Sequence, residues 1–366
     1  MKIIHILVGK ADPNTMNGVN KVVHSLATIQ TEKGLDVEVW GITSNPSIIR
    51  HKHVYKLSLF RRDKTKFRLA DELKSSIDKI LPDVRVHLHS VFLPEFHLIG
   101  RRLKRKGVSW VLTPHGGYES AGWRKNRLTK EAFSYLFERP VVEGASAVHA
   151  IGETELASIR NRFKAKKVVL IPNGLVLTDA PSETDGQLIF GFCGRLSTEH
   201  KGLDLLVDGM ARYRFSGGKG LLWLVGDGSG RSEIENKVRS LGADNHVKFL
   251  GAMFGDEKLR ALSKMAVFLH TSRWDVLPTA VLEAAGLSKP LLVSKATNFG
   301  PYVDQWKCGI VLDENTPEHI AEGMTFFENA HADGGLSEMG RNSRNMAKSE
   351  FQWSTIVDAM IEKVYR

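Results

Sequence analysis

Short apolar runs alternate with amphipathic stretches along most of the chain. Lys2–Val8 reads as a first strand, and 19–33 as a helix with Val22, Val23, Leu26 and Ile29 on one face. Residues 37–42 and 54–59 predict strands, and 67–81 a helix stopped by Pro82. Residues 85–89 predict a strand, 94–106 a helix, and 110–113, 147–151 and 168–171 strands, with a helix opening at Glu153. The rhythm then repeats, with strands at 189–193, 221–225, 247–250, 267–270, 290–293 and 310–312 and helices between them. From about Pro317 the pattern is helical to the end. Strands alternating with helices of this length predict parallel sheets covered on both faces.

The polar segment 178–187, with Pro and Gly, reads as a linker. The expected fold class is therefore α/β, with two doubly wound Rossmann-like domains. Their expected bounds are 1–177 and 178–351, with a C-terminal helix at about 352–366 packing back on the first domain. A length of 366 residues suits two domains. Hydrophobic residues at 42% and charged residues at 25% indicate a soluble globular chain and exclude disorder and collagen-like repeats. No apolar run approaches the roughly 18 residues that span a membrane, and the apolar start reads as a strand, not a signal peptide. Two cysteines, Cys193 and Cys308, make neither a disulfide framework nor a four-ligand zinc site, which fits a reducing cytoplasm.

Charge changes the picture more than composition does. Residues 1–180 hold 30 basic and 17 acidic side chains, a net of +13, which leaves −3 for the rest of a chain whose total is +10. A basic first half attracts nucleic acid, an anionic membrane surface or a phosphorylated substrate.

Ligands of open α/β sheets bind beyond the carboxyl ends of strands, and five polar or glycine-rich segments sit there. Gly194-Arg195-Leu196 through Lys201-Gly202 places two cations after a strand, where Arg as a fork and Lys as a point charge can hold a diphosphate. An exposed loop with ordinary charges is the plainer reading. In the segment from Ser272 to Ala284, Asp275 lies in a loop and Pro278 suits the first turn of a helix. Amides near Thr279 then form an anion site, and Glu283, one turn on, requires a hydrogen-bonding partner such as ribose. Helix capping by Asp275 and a salt bridge at Glu283 explain the same residues. Gly226-Asp227-Gly228-Ser229-Gly230 approximates a dinucleotide fingerprint with Arg231 at the third glycine position, and reads first as a tight turn. His115, in Thr113-Pro114-His115-Gly116-Gly117, stands where it can face a ligand, although a lone His is more often structural. Asn17-Gly18 opens the first helix, either as a cap or as a close approach to phosphate or sugar.

Together these residues resemble the glycosyltransferase family 4 group of GT-B glycosyltransferases. The resemblance rests on Gly194-Arg195-Leu196 with His200-Lys201-Gly202-Leu203-Asp204, on Val225-Gly226-Asp227-Gly228, and on Val247-Lys248-Phe249-Leu250-Gly251. It also rests on Asp275 and Glu283, separated by seven residues like the family's paired acids, and on Pro172-Asn173-Gly174 before the linker. The match is dense from about 168 to 312 and looser before that.

The resemblance implies a GT-B fold with two Rossmann-like domains facing across a cleft. It implies that Arg195 and Lys201 neutralise the donor diphosphate as the leaving group gains charge. Asp275 and the amides near Leu277, Pro278 and Thr279 would hold donor sugar and phosphate, Glu283 the ribose, and His115 the sugar near the reacting carbon. Gly18 and Gly194 would admit the phosphates, and the backbone around Lys248 and Leu250 would meet the base. It also implies retention of anomeric configuration with no cofactor and no catalytic metal. No carboxylate here is an obvious covalent nucleophile, so front-face displacement fits better than a two-step route. Two departures bear on donor choice: Asp275 stands where the family usually has Glu, and Asn17-Gly18 where it has a glycine pair.

The expected activity is transfer of a hexose-type sugar from a UDP- or GDP-sugar to a glycan or lipid-linked glycan in bacterial-type cell-surface polysaccharide or lipopolysaccharide synthesis. Three basic clusters, Arg61–Arg68, Arg101–Lys106 and Trp123–Arg127, read singly as solvated faces and jointly as a peripheral contact with an anionic bilayer. The expected place is the cytoplasm, including the cytoplasmic face of the inner membrane. A nucleic-acid binder is the competing class, but its usual motifs are missing, so nucleic acid is not an expected partner. A dinucleotide-dependent oxidoreductase is disfavoured by the broken fingerprint, and a sugar-nucleotide epimerase on the same fold is the remaining alternative.

Overall fold

The structure, a computed structural model, describes residues 1–12, 17–46, 53–119, 123, 127–178 and 186–366, without the side chain of Arg127. Most of the linker expected at 178–187, and residues 124–126 and the Arg127 side chain of the third basic cluster, therefore lie outside what is described. The chain forms two compact units: Met1–Gly174 with Trp353–Arg366, and Leu175–Gln352. The crossings fall at 174/175 and 352/353, against sequence boundaries of 177/178 and 351/352.

Unit one is built on seven strands: β1 Lys2–Val8, β2 Asp36–Thr43, β3 Lys56–Arg61, β4 Arg85–His89, β5 Trp110–Thr113, β6 Ala147–Ala150 and β7 Val168–Leu170. They pair in the order β3-β2-β1-β4-β5-β6-β7, all parallel. The nearly continuous apolar runs of β1 and β5 reflect burial on both faces, and β4 is buried as well although His87 and His89 alternate with its apolar residues. One face packs Ile4, Ile6, Leu88 and Leu112 against Phe96, Ile99 and Leu103. The other packs Ile3 and Val111 against Val22 and Leu26 of the helix Gly18–Glu32 and Ile356, Val357 and Met360 of the C-terminal helix Trp353–Met360. Gly174 is required there, because a Cβ on it would lie 2.4 Å from the Trp353 ring.

Unit two has six strands: β8 Ile189–Cys193, β9 Leu221–Val225, β10 Val247–Gly251, β11 Val267–His270, β12 Leu291–Ser294 and β13 Gly309–Leu312. Their order is β10-β9-β8-β11-β12-β13, again all parallel. Phe190, Phe192, Leu222 and Leu224 pack on Leu206, Val207 and Met210 of the helix Leu203–Phe215. In both sheets the chain reverses direction of winding between neighbouring strands, β1/β4 and β8/β11, which is where such folds open a crevice.

The structure departs from the sequence reading in two helical regions. The helix expected over 67–81 runs only Asp71–Asp78, since its buried positions begin at Leu69 while Phe67 is exposed. Residues 127–144, unassigned from sequence, form the helix Arg127–Phe133, a wider turn Ser134–Glu138 and the helix Arg139–Gly144. Pro140 masks the helical pattern there, yet it sits in the first turn of the last piece, where its missing N–H costs nothing.

Candidate functional site

In unit two the loop after β8 and the loop after β11 meet beside the winding reversal. Arg195 is exposed, with no hydrogen bond or ion pair to another described residue. Ser197 caps the short turn Thr198–Lys201 through its Oγ, which accepts from the His200 amide at 3.3 Å. The turn ends at Gly202 in the left-handed region, φ 63°, where a Cβ would lie 2.2 Å from the Thr271 carbonyl. That close approach sets Lys201 against the second loop, and its ammonium forms an ion pair with Asp275. His270, at the end of β11, donates from Nε2 to Asp275 Oδ2 at 3.1 Å.

The Lys201 and Asp275 side chains are only 13% and 17% exposed. Burial pushes the Asp275 carboxyl up, but the His270 hydrogen bond and the Lys201 charge outweigh it and hold it well below the usual carboxylate range. His270 is pushed down to about 4, chiefly by burial, so it is neutral and donates one proton. The Asp275 amide donates to Ala296 O at 2.9 Å, and Asn298 Nδ2 donates to Asp275 O at 3.1 Å. Asp275 is therefore fixed by both backbone and side chain, and it is not a helix cap.

Leu277 and Pro278 are buried and lead into the helix Thr279–Gly286. Pro278 is the residue before the helix and not its first member, so the sequence placement shifts by one. Thr279 is exposed at the start, where the first amides have no acceptor within the helix. Glu283 accepts from Lys258 Nζ at 2.5 Å, with the two side chains 21% and 12% exposed. Both alternatives at Glu283 therefore survive, because an ion pair in this geometry still leaves carboxylate capacity for a second donor.

The glycines after β9 serve the first loop. A Cβ on Gly226 would lie 1.8 Å from the Gly194 carbonyl, and one on Gly228 2.5 Å from the Leu196 carbonyl. Gly194 N donates to Val225 O at 2.9 Å and Leu196 N to Asp227 O at 3.1 Å. The broken fingerprint is a packing surface that carries Arg195. Lys248, on edge strand β10, is exposed with its Nζ 5.5 Å from the Trp223 ring centroid, and Leu250 is half-buried on the same strand.

Unit one arranges a different chemistry. Asn17 caps its helix, Oδ1 accepting from the Val19 amide at 3.0 Å. Gly18 follows it, exposed, and a Cβ there would meet nothing within 4 Å. His115 follows β5 with φ 54°, a left-handed conformation uncommon for a non-glycine residue. It stacks on His89 at 5.2 Å, and the His115 Nε2 to His89 Nδ1 distance is 3.0 Å. Burial lowers the His115 ring to about 3. Its turn is braced by Glu155, which accepts the Gly116 amide at 2.6 Å and the Ile151 amide at 3.1 Å.

Sequence reasoning treated His115 alone and missed its neighbours. His5 on β1, His87 and His89 on β4 and His149 on β6 are all buried and joined by hydrogen bonds. The local trace in the sequence was the alternation of His87 and His89 along one strand; the structure adds that His5 pairs in register with His87. Buried Glu138, which accepts from Tyr118 Oη at 2.6 Å, and Glu155 were also missed; burial raises both carboxyls to about 7. Ring nitrogens of His5, His87 and His89 lie within 4.8 Å of one another, close enough for a metal, but each ring already makes hydrogen bonds through both nitrogens.

Comparison with known proteins bears on the family and the fold. Residues 178–346 match the family model of glycosyl transferases group 1, and residues 16–179 match that of glycosyltransferase family 4. An uncharacterised glycosyltransferase of Methanocaldococcus jannaschii is 25% identical over 76% of this chain and 74% of its own. A lipopolysaccharide core biosynthesis glycosyltransferase of Rhizobium meliloti is 24% identical over 45% of this chain and 46% of its own. The fold matches that of Anabaena HepE, solved with UDP-glucose, at a TM-score of 0.77 and 16% identity, covering 98% of each chain.

Proposed function

The chain belongs to glycosyltransferase family 4, and from that premise we propose a retaining enzyme that moves a hexose-type sugar from a UDP- or GDP-linked donor to a glycan or lipid-linked glycan. The observation that carries this reading is the pairing of exposed Arg195 with a Lys201 that Asp275 holds in place beside the β8/β11 reversal. A diphosphate gains charge as the bond from the anomeric carbon to its oxygen breaks, and fixed cations stabilise that charge where water is excluded. The acceptor oxygen bonds to the anomeric carbon on the same face, and its proton passes to the leaving phosphate oxygen. These cations do the work for which other transferases use a metal, so the proposed reaction needs none. Glu283 takes the ribose, the amides at Leu277–Thr279 the phosphate and sugar, and the β10 backbone around Lys248 and Leu250 the base. His115 takes the sugar and Gly18 admits the phosphate.

The donor base is proposed as uracil or guanine, and the UDP-glucose bound by HepE favours uracil. Cell-surface polysaccharide or lipopolysaccharide synthesis is proposed on the likeness to the Rhizobium meliloti enzyme. No helix among the described residues is long and apolar enough to cross a membrane. Contact with the cytoplasmic face of a membrane is proposed through unit one, where Arg61, Lys64, Lys66, Arg101, Lys104 and Arg105 are exposed. Exposed Phe67, Leu128, Tyr135 and Leu136 add apolar area in the same unit. Equal sedimentation with neutral and anionic liposomes would rule that contact out.

The test of the donor reading is a thermal-shift panel of UDP, GDP, ADP and TDP with their common sugars, on wild type and Glu283→Ala. A ligand at 100 times its Kd adds about 2.7 kcal/mol, a shift of a few degrees. One selective nucleotide whose shift vanishes in the variant supports the reading, and a flat panel contradicts it. Anomeric NMR of the product then decides retention.

A further inference from the structure

A single run of hydrogen bonds crosses the interior of unit one and ends at His115. Ile171 O lies 2.7 Å from His149 Nε2, and His149 Nδ1 lies 2.8 Å from Thr113 Oγ1. Thr113 Oγ1 lies 2.6 Å from His87 Nε2, and His87 Nδ1 lies 2.7 Å from Tyr365 Oη. Gln30 joins the two halves, with Nε2 donating to Tyr365 Oη at 3.2 Å and Oε1 2.7 Å from His5 Nε2. His5 Nδ1 lies 2.9 Å from His89 Nε2, and His89 Nδ1 lies 3.0 Å from His115 Nε2.

Only one direction satisfies every member. Burial pushes His5 and His149 down to about 4, His115 to about 3, and His87 and His89 well below the usual imidazole range. Each ring is therefore neutral near pH 7, with one N–H and one lone pair. The Ile171 carbonyl can only accept, so His149 carries its proton on Nε2 and accepts at Nδ1. Thr113 must then donate to His149 and accept from His87 Nε2. His87 Nδ1 must accept the Tyr365 hydroxyl proton, and Tyr365 Oη must accept from the Gln30 amide. That orients the Gln30 carbonyl toward His5, which donates from Nε2 and accepts at Nδ1 from His89. His89 in turn accepts at Nδ1 from His115. The reversed direction leaves a lone pair of His149 facing the Ile171 carbonyl, a buried acceptor–acceptor contact.

We propose that the Ile171 carbonyl, through this chain, fixes the tautomer of His115 with its proton on Nε2 and a bare lone pair on Nδ1. Resting on the reading in which His115 meets the donor sugar, the free nitrogen is an acceptor for a sugar hydroxyl. His115 then neither protonates the leaving group nor donates to the ring oxygen. His5, Gln30, His87, His89, Thr113, His149 and Tyr365 are positioning residues acting through it. The C-terminal turn Ile361–Tyr365 thereby has a role in donor recognition without touching the donor.

The test is long-range ¹H–¹⁵N NMR of the imidazoles in the full, ligand-free chain, with His115 assigned by its loss in His115→Gln. The expected spectrum has His115 Nδ1 at the shift of an unprotonated ring nitrogen and Nε2 at that of a protonated one. Tyr365→Phe lets Gln30 turn either way and Thr113→Val severs the link to His149. Each is expected to move both His115 nitrogens toward averaged values while the signals of half-buried His319, in unit two, stay put. A wild-type proton on Nδ1, or a His115 tautomer unmoved in both variants with the fold intact, overturns the proposal. The sugar-facing part is read separately with deoxyfluoro donor analogues, since fluorine accepts but does not donate. At the hydroxyl that His115 reads, fluorine should lower kcat/KM about tenfold or more, the worth of a lost hydrogen bond. That loss should disappear in His115→Gln. A correct tautomer with no such analogue removes the sugar-facing reading and leaves the chain standing.

Discussion

Unit one and unit two wind their parallel sheets alike, yet they fill the strand ends with opposite kinds of polarity. Unit two sets charge against charge: Lys201 with Asp275, Lys258 with Glu283, and Arg273 bidentate on Asp204 at 2.8 and 2.6 Å. Unit one sets neutral rings in series, and its buried carboxyls at Glu138 and Glu155 are raised to about 7. The contrast follows the ligands proposed. A diphosphate is a charge, and paired ions hold the lysine extended until it arrives. Sugar hydroxyls are neutral, and in the proposed reading a row of imidazoles with fixed protons distinguishes them by direction alone. One fold thereby presents two polar chemistries through the residues that follow its strands.

Acid should break that symmetry most strongly. The buried imidazoles of unit one have folded pKa values below their unfolded ones, so their stability is whole above about pH 6.5 and is lost as pH falls. Each ring costs about 1.4 kcal/mol per pH unit between its unfolded and folded values. Glu138 and Glu155 act oppositely between about pH 4.5 and 7, because folding raises them. Five rings against two carboxyls leave a net loss of at most about 4 kcal/mol per unit. In unit two, among the described imidazoles, only His270 is displaced as far, and Asp275, held low, gives way only in stronger acid. Hydrogen exchange at about pH 5.5 should show β1, β4 and β5 losing protection before β8, β9 and β11, and simultaneous loss would count against the distinction.

The next effect is catalytic. Arg195→Ala and Lys201→Ala should each lower kcat by about 10²–10³-fold. Lys201→Ala should also weaken unit two, since it leaves the Asp275 carboxylate with a neutral donor only, whereas Arg195→Ala should leave Tm unchanged. Steady-state rates with melting curves separate the two. Glu283→Ala should destabilise unit two by about 2 kcal/mol, below the range for fully buried pairs because both side chains keep some exposure. Urea unfolding measures it, and an unchanged midpoint would mean that Lys258 is solvated.

The smallest effect distinguishes two glycines. Gly18→Ala meets no atom and should change stability by less than about 1 kcal/mol. Any loss of donor affinity it causes is then a ligand contact. Gly226→Ala, driven into the Gly194 carbonyl, should instead lower stability outright. Equal Tm values for the two would contradict the packing role given to Gly226.

Most of the fold was legible because apolar runs bounded by Gly and Pro mark buried parallel strands, and all thirteen appear within two residues of the expected places. What was lost was helical, at 127–144, where Pro140 disguised a first turn as a break. In the site, the charged loops of unit two were readable from residue type and spacing. Glu283 was readable only as a choice between partners, because Lys258 lies 25 positions away. The histidine chain was not assembled because its links span up to 335 positions, from Gln30 to Tyr365, and no local pattern carries them. Histidines in strands were the only local trace.

The division between a charge-reading unit and a hydroxyl-reading unit is tested most directly by calorimetric titration. The nucleoside diphosphate and its sugar-linked form would each be titrated into wild type, Arg195→Gln and His115→Gln. The account predicts that Arg195→Gln weakens both ligands alike. His115→Gln should leave the diphosphate unchanged and remove only the extra affinity that the sugar brings. Equal weakening of both ligands by His115→Gln would contradict it.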